Sequence, residues 1–272
     1  MLYNSIGTIS LASTGAVIIL ILLGTLRFPL LPVRNFIMDL IRSRKFIILL
    51  ICVICILILN KYELKFEESL DYNVDFTPWI YGIEGHFVQS VQHIFNNPYV
   101  TQITVFFYII VFQSLLIASI AVYIIDRNKV LVYATCFAII TNYAIAIPFY
   151  ILFPVNEVWS YSPSGVSFLM LDVFPKFEQE YRPLSGLNNC FPSLHTSISV
   201  TIMFLAARSG NIRWRVITGI SCLIILFSIF YLGIHWLTDM IAGTMLGLFA
   251  SSFGIYMAKR TIQKERTSLQ SS

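Results

Sequence analysis

The chain has 272 residues, 57% of them hydrophobic and only 12% charged, with a mean hydropathy of +0.77. Soluble domains carry about a quarter charged residues, so this composition excludes one and indicates an integral membrane protein. The net charge of +4 is spread beside apolar stretches and forms no single basic patch, which argues against nucleic acid as a partner.

Apolar runs of about 20 residues predict transmembrane helices. In chain order they cover 6–26, 45–62, 100–125, 130–153, 192–208, 213–234 and 238–258. The first run is the weakest of the seven. It has no basic n-region and no small-residue cleavage site, so it reads as a retained span and not a removed signal. In the second, Cys52-Val-Ile-Cys55 has redox-motif spacing, but within a lipid-facing helix it reads as two small apolar residues. Cys136 and Cys222 also lie in apolar runs and Cys190 in a loop, so no disulfide framework is implied.

Between the second and third runs, 63–99 is acidic, with Glu63, Glu67, Glu68, Asp71, Asp75 and Glu84. Trp79, Ile80, Ile83, Phe87, Val91 and Ile94 recur there at helical spacing, predicting a helix at the membrane interface. His86 and His93 fall seven apart on one face of that helix; they read as surface histidines, with a metal pair as the alternative.

Lys and Arg set the orientation. Arg27, Arg34, Arg42, Arg44 and Lys45, then Arg127 and Lys129, then Arg208, Arg213 and Arg215, then Lys259, Arg260, Lys264 and Arg266 all fall on one side if seven spans alternate. That side is predicted to be cytoplasmic. The connections 63–99, 154–191 and the turn near 235–239 then face outward. The fold expected is an all-α polytopic transmembrane helical bundle of six to seven spans, with an interfacial helix in an outer loop. It forms one membrane-embedded domain, with a core over 63–258, two accessory spans in 1–62 and a cytoplasmic tail over 259–272. The tail after Arg266 is expected to fray.

Two polar clusters at outer helix ends carry the chemistry. The first is Phe191-Pro192-Ser193-Leu194-His195-Thr196-Ser197 and the second Tyr231-Leu232-Gly233-Ile234-His235-Trp236-Leu237-Thr238-Asp239. His235 and Asp239 are four apart, so on a helix they share a face. A carboxylate on Nδ1–H fixes the imidazole tautomer and aims the Nε2 lone pair, making His235 a nucleophile or base in an exposed outer position. The structural alternative makes Thr238 and Asp239 caps of the last helix. In the first cluster, Pro192 suits the first helical position, and a helix start attracts anions. Ser193 is placed to donate to a phosphate oxygen and His195 to protonate a leaving group; the plain alternative is a helix cap with an interfacial histidine. Arg182 falls on the same face. A metal site of His195, His235 and Asp239 is the chemical competitor, but no further Cys or His is expected beside it to complete tetrahedral ligation.

Pro192-Ser193-Leu194-His195 and the run from Tyr231 through Asp239 to Gly243 resemble the second and third motifs of the type 2 phosphatidic acid phosphatase superfamily, membrane lipid phosphatases and phosphotransferases that use no metal. The resemblance implies that His235 is the nucleophile and forms a phosphohistidine. It implies that Asp239 orients His235, that His195 is the general acid and that Ser193 binds phosphate. Leu194 stands where the family usually has glycine, and Ser228-Ile229 where it usually has Ser-Arg. The first motif is approximated by Lys176 and Arg182-Pro183, one residue short, which makes both basic residues candidate phosphate ligands. The form without that arginine is similar to the branch containing inositol phosphorylceramide synthases.

The function expected is hydrolysis of a lipid phosphate monoester or pyrophosphate, without metal or cofactor. The chain is expected in the cell membrane with its site facing outward, and the bilayer and a lipid phosphate are its expected partners. Transfer of a phospho-head group to an alcohol is the alternative. The aromatic-rich 154–191 connection, with Trp159, Tyr161, Phe168, Phe174 and Tyr181, would then cover an acceptor or simply rest in the interface. A non-catalytic lipid-phosphate binder or transporter is the third reading.

Overall fold

A computed structural model describes Tyr3, 5–27, Phe36, Met38, 43–69 and 74–270. Arg34 and Arg42 of the first basic connection, and Asp71 of the acidic one, lie outside the described residues.

The chain is all-α. Its long helices are α1 (Ile6–Thr25), α2 (Arg44–Ser69), α3 (Thr77–Glu84), α4 (Phe87–Phe95), α5 (Pro98–Ile125), α6 (Lys129–Leu152), α7 (Leu194–Ala206), α8 (Ile212–Tyr231) and α9 (Leu237–Gln270). Among the described residues, α1, α2, α5, α6, α8 and α9 are long and apolar enough to cross a membrane.

The expected span over 192–208 needs correction. Helix α7 has 13 residues, about 20 Å at 1.5 Å per residue, against a hydrocarbon core of about 30 Å. Pro192 is not its first residue: Ser193 is the N-cap and Pro192 precedes it. The helix is short because it is central. It packs on α5, α6, α8 and α9, and its Thr196, Ser197, Ser199 and Thr201 are buried in protein, away from lipid. Close approach of α9 depends on Gly243, where an added Cβ would sit 2.6 Å from the Ser193 carbonyl oxygen. Gly247, one turn on, lies as tightly against the Ser197 carbonyl. Small residues four apart let two membrane helices touch backbone to backbone.

The single interfacial helix is two. Gly85, at φ +57, ends α3, and His86 opens α4. Ile80, Val88 and Gln92 face inward while Trp79, Ile83 and Ile94 are exposed, so the predicted amphipathic pattern holds across the break. His86 caps the start of α4 and His93 lies in its last turn, so both fall on the same side of the break. At the other extreme of the chain, α9 runs to Gln270 through the segment expected to fray.

The ends of the bundle separate by chemistry. At one end, Asn211 Nδ2 donates to the Gly24 carbonyl at 3.0 Å and to Asp126 Oδ2 at 3.2 Å, gathering the turns that carry Arg27, Arg127 and Arg213. At the other, Gln92 donates to the carbonyls of Ser167 and Tyr231 at 2.7 and 2.9 Å, and Trp236 Nε1 donates to the Asn156 carbonyl at 2.9 Å. These bonds draw 63–99, 154–191 and the 232–236 turn into one cap over the bundle.

Candidate active site

The first cluster is built at the start of α7. Ser193 is fully buried; its Oγ accepts from Thr196 N–H at 3.3 Å, and its own N–H donates to the Asp239 carbonyl at 3.2 Å. Tyr150 donates to the Pro192 carbonyl at 3.1 Å. The cap of α7 is thus tied to the first turn of α9 and to α6.

The second cluster turns on Gly233, at φ +79, where a Cβ would strike the Ser167 carbonyl and Val166. The turn delivers His235 just before α9. Its Nδ1 lies 3.3 Å from Asp239 Oδ2, which also accepts Trp236 N–H at 2.9 Å. Asp239 is fully buried and His235 is 5% exposed, so the nucleophile candidate is a sheltered group and not the exposed one expected. The pair is internal because the cap formed by 154–191 covers it.

Thr238 is not the cap of α9. Glu84, at the end of α3, accepts from Leu237 N–H at 2.6 Å and from Thr238 N–H at 2.5 Å, and also takes the Thr238 hydroxyl. Burial pushes its carboxyl above the usual range, opposed by these three bonds. Helix starts favour a carboxylate, and this one comes from another element. Glu84 is the only acid within the amphipathic run, which was the available signal for a partner inside the protein.

His195 sits one residue into α7. Its ring stacks on Tyr108 at 3.9 Å and meets Phe112 at 4.2 Å between centroids. Both aromatics come from α5, where 107–111 forms a π-helical turn, a distortion frequent at functional sites. The ring centroids of His195 and His235 are 6.4 Å apart, and the buried Nε2 of His195 has no hydrogen-bond partner. Both histidines line a cavity of about 160 Å³, together with Tyr108, Phe112, Glu157, Tyr181 and Cys190. Asn60 of α2, Tyr143 and Tyr150 of α6, and Asn189 line it as well. The second span therefore contributes to the site.

The basic residues stand elsewhere. Arg182 donates through Nη1 and Nη2 to the two carboxylate oxygens of Glu157 at 2.7 and 2.9 Å, and to Glu178 and the Gly186 carbonyl. Trp159, Phe168 and Phe177 surround it at 5.0–5.8 Å from their ring centroids. Burial opposes the Arg182 charge, but the bonds to Glu178 and Glu157 outweigh it and hold the guanidinium protonated. Burial raises the Glu157 carboxyl, and the Arg182 bonds counter it. Glu157, and not Arg182, lines the cavity. Lys176 is exposed and lines it neither. Of the aromatics in 154–191, Phe174 is fully buried and Trp159 stacks on Phe168, while Tyr181 borders the cavity with its hydroxyl pushed up to about 12 by burial. Ile229, at the position of the missing arginine, is fully buried; its carbonyl accepts the N–H groups of Ile234 and His235.

One premise of the metal reading changes. A further cysteine does lie at the pair: Cys190, His235 and Asp239 offer ligand atoms within 4.8 Å of one another, and all three are buried. His195 is not in that group. His86 Nε2 instead meets the Tyr81 hydroxyl at 3.3 Å, and His93 is exposed.

Among curated proteins and solved structures no match was found. A sequence model of the PAP2 superfamily matches residues 79–253, a stretch that holds both histidine clusters, Glu84, Glu157 and Arg182. With that match over more than half of its length, the chain belongs to the type 2 phosphatidic acid phosphatase superfamily, whose members are lipid phosphatases and phosphotransferases.

Proposed function

We propose that the protein is a membrane lipid phosphatase that hydrolyses a lipid phosphate monoester or pyrophosphate through a phosphohistidine on His235. The observation that carries this reading is the His235–Asp239 pair at 3.3 Å in a sheltered cavity shared with His195. Asp239 accepts the Nδ1 proton, so the Nε2 lone pair is free to attack phosphorus. As the N–P bond forms, the P–O bond to the lipid breaks, and His195 gives its proton to the departing oxygen. Water then attacks the phosphohistidine, His195 takes a proton from it, and the N–P bond breaks to release phosphate. General acid–base assistance of this kind contributes about 10²–10⁴-fold.

Charge on the equatorial oxygens needs positioned donors. Ser193 and the start of α7 stand closest in the chain to His195. Arg182 joins them only by exchanging Glu157 or Glu178 for the substrate phosphate. Lys176 has no part in this reading, because it is exposed and outside the cavity lining. The reaction uses no metal or cofactor, and the site faces outward at the cell membrane.

Transfer to an alcohol is the second reading, and one observation favours it. The cavity is also lined by Asn60, Tyr143, Tyr150 and Asn189, polar groups able to orient a hydroxyl beside the phosphohistidine. Purified protein given labelled lipid phosphates, with and without alcohol acceptors, tests both. Free phosphate as the main product, lost in His235→Ala, supports the phosphatase. A new phosphodiester formed at the expense of free phosphate supports transfer, and no turnover of any lipid contradicts both.

A further inference from the structure

Three buried side chains from two stretches of chain converge at the head of α9. Cys190 closes the 154–191 connection, held by its N–H on the Val155 carbonyl at 3.3 Å and by its thiol toward the Ile234 carbonyl at 3.6 Å. His235 follows the Gly233 turn, and Asp239 lies in the first turn of the helix. Their sulfur, nitrogen and oxygen atoms lie within 4.8 Å of one another. Asp239 divides its oxygens: Oδ2 serves His235 and Trp236, while Oδ1 is buried without a hydrogen-bond partner. Cys190 and His235 line the cavity, so a small ion has a route to them. Neither lysine nor arginine lines that cavity among the described residues, so no fixed cation repels an incoming one.

We propose that Cys190, His235 and Asp239 form an inhibitory site for a thiophilic divalent cation, with zinc the best chemical match. A thiolate, an imidazole and a carboxylate suit zinc, while magnesium and calcium require oxygen ligands. Zinc bonds of about 2.3 Å to sulfur and 2.0–2.2 Å to nitrogen and oxygen place ligand atoms roughly 3.5 Å apart, so the trio closes by about 1 Å. The fourth position is left to water, to a phosphate oxygen or to His195, whose unpartnered Nε2 is buried nearby.

The inhibition follows from the proton balance. Nδ1 is the His235 nitrogen beside Asp239, and it is the one the metal takes. The ring proton then resides on Nε2, and the thiol proton of Cys190 leaves for solvent. A protonated Nε2 has no lone pair, so attack on phosphorus stops. Metal binding itself is independent of the proposed reaction; only its effect on turnover rests on His235 being the nucleophile.

The test uses the full chain in detergent with Cys52→Ser and Cys55→Ser, since that exposed pair is a competing thiol site. Zinc is titrated against a chromophoric chelator while lipid-phosphate turnover is followed, with magnesium as the control ion. One zinc per chain is expected, with turnover falling as the site fills and returning on chelation. Cys190→Ser, which keeps size and a donor toward Ile234, should weaken zinc by at least about tenfold and turn over in its presence. Zinc should raise the Tm of the parent and not that of Cys190→Ser or Cys190→Ala. Independently of any Cys190 variant, the cobalt-loaded parent must show thiolate-to-metal charge-transfer absorption. Unchanged zinc affinity in both Cys190 variants, equal inhibition by magnesium, or absence of the cobalt–thiolate band would overturn the proposal. Cys190-dependent zinc binding in a protein that turns over no lipid phosphate would sustain this site and sink the phosphatase reading.

Discussion

Two buried side-chain pairs stand at the candidate site. In the first, Asp239 Oδ2 lies 3.3 Å from His235 Nδ1 and also accepts from Trp236 N–H, while its second oxygen has no partner. His235→Ala is expected to abolish turnover while the protein stays folded in detergent, because truncating one ring leaves its neighbours' caps in place. Asp239→Asn should lower kcat by about 10³–10⁴-fold, since the amide favours the wrong tautomer; a loss confined to KM would speak against an orienting role. In the second pair, Arg182 bridges Glu157 and Glu178. Arg182→Met leaves the buried Glu157 without its cation, with the Trp159 indole N–H as its remaining side-chain donor, a loss of about 3–5 kcal/mol visible as a lower Tm. Adding Glu157→Gln should restore most of that stability. If Arg182 also reaches phosphate during turnover, the double variant recovers Tm without recovering activity; recovery of both would make Arg182 a strut only. The histidines, Ser193 and Asp239 were legible in the sequence because their spacing is local. Glu157 and Cys190 were not: each acquires its meaning from a contact 25 or more residues away in the chain, and short-range spacing carries no trace of that contact.

Helices α3 and α9 meet through one carboxylate. Glu84 satisfies two amides that a helix start leaves open, those of the two residues just before Asp239. Glu84→Gln replaces an acceptor oxygen with a donor facing Leu237 and Thr238. The expected result is a cost of about 1–3 kcal/mol in unfolding free energy and a fall in kcat larger than the rise in KM. A loss of stability with kcat intact would confine Glu84 to the fold. Six of the seven predicted spans emerged as long helices because unbroken apolar runs have few alternatives in lipid. Helix α7 was overextended for a physical reason: its Ser and Thr side chains are buried among neighbouring helices, so its length is not set by bilayer thickness. The Gly243-Thr244-Met245-Leu246-Gly247 spacing was the available sign of that packing, since it marks a face where another backbone comes close. The interfacial pattern was read correctly in period but not in continuity, because Gly85 at positive φ ends α3 while the apolar face carries on into α4.

At the scale of the whole molecule, the basic turns gather at one end of the bundle and the two histidine clusters at the other. With the basic end cytoplasmic, Ser162, exposed on the connection over the site, should face outward. In a variant lacking the native cysteines, Ser162→Cys should react with an impermeant thiol reagent on intact cells; labelling only after lysis would reverse the orientation. Turnover should persist in excess chelator, and loss restored by one divalent ion would revive a catalytic metal. The central claim is that the phosphorus of the lipid passes through a covalent bond to His235. Protein quenched in alkali during turnover of a phosphorus-labelled lipid, then digested and sequenced by mass spectrometry, tests it directly. The account predicts acid-labile, alkali-stable label on the peptide carrying His235, and none in His235→Ala. Wild-type turnover by His235→Ala, or label residing on another residue, would contradict it.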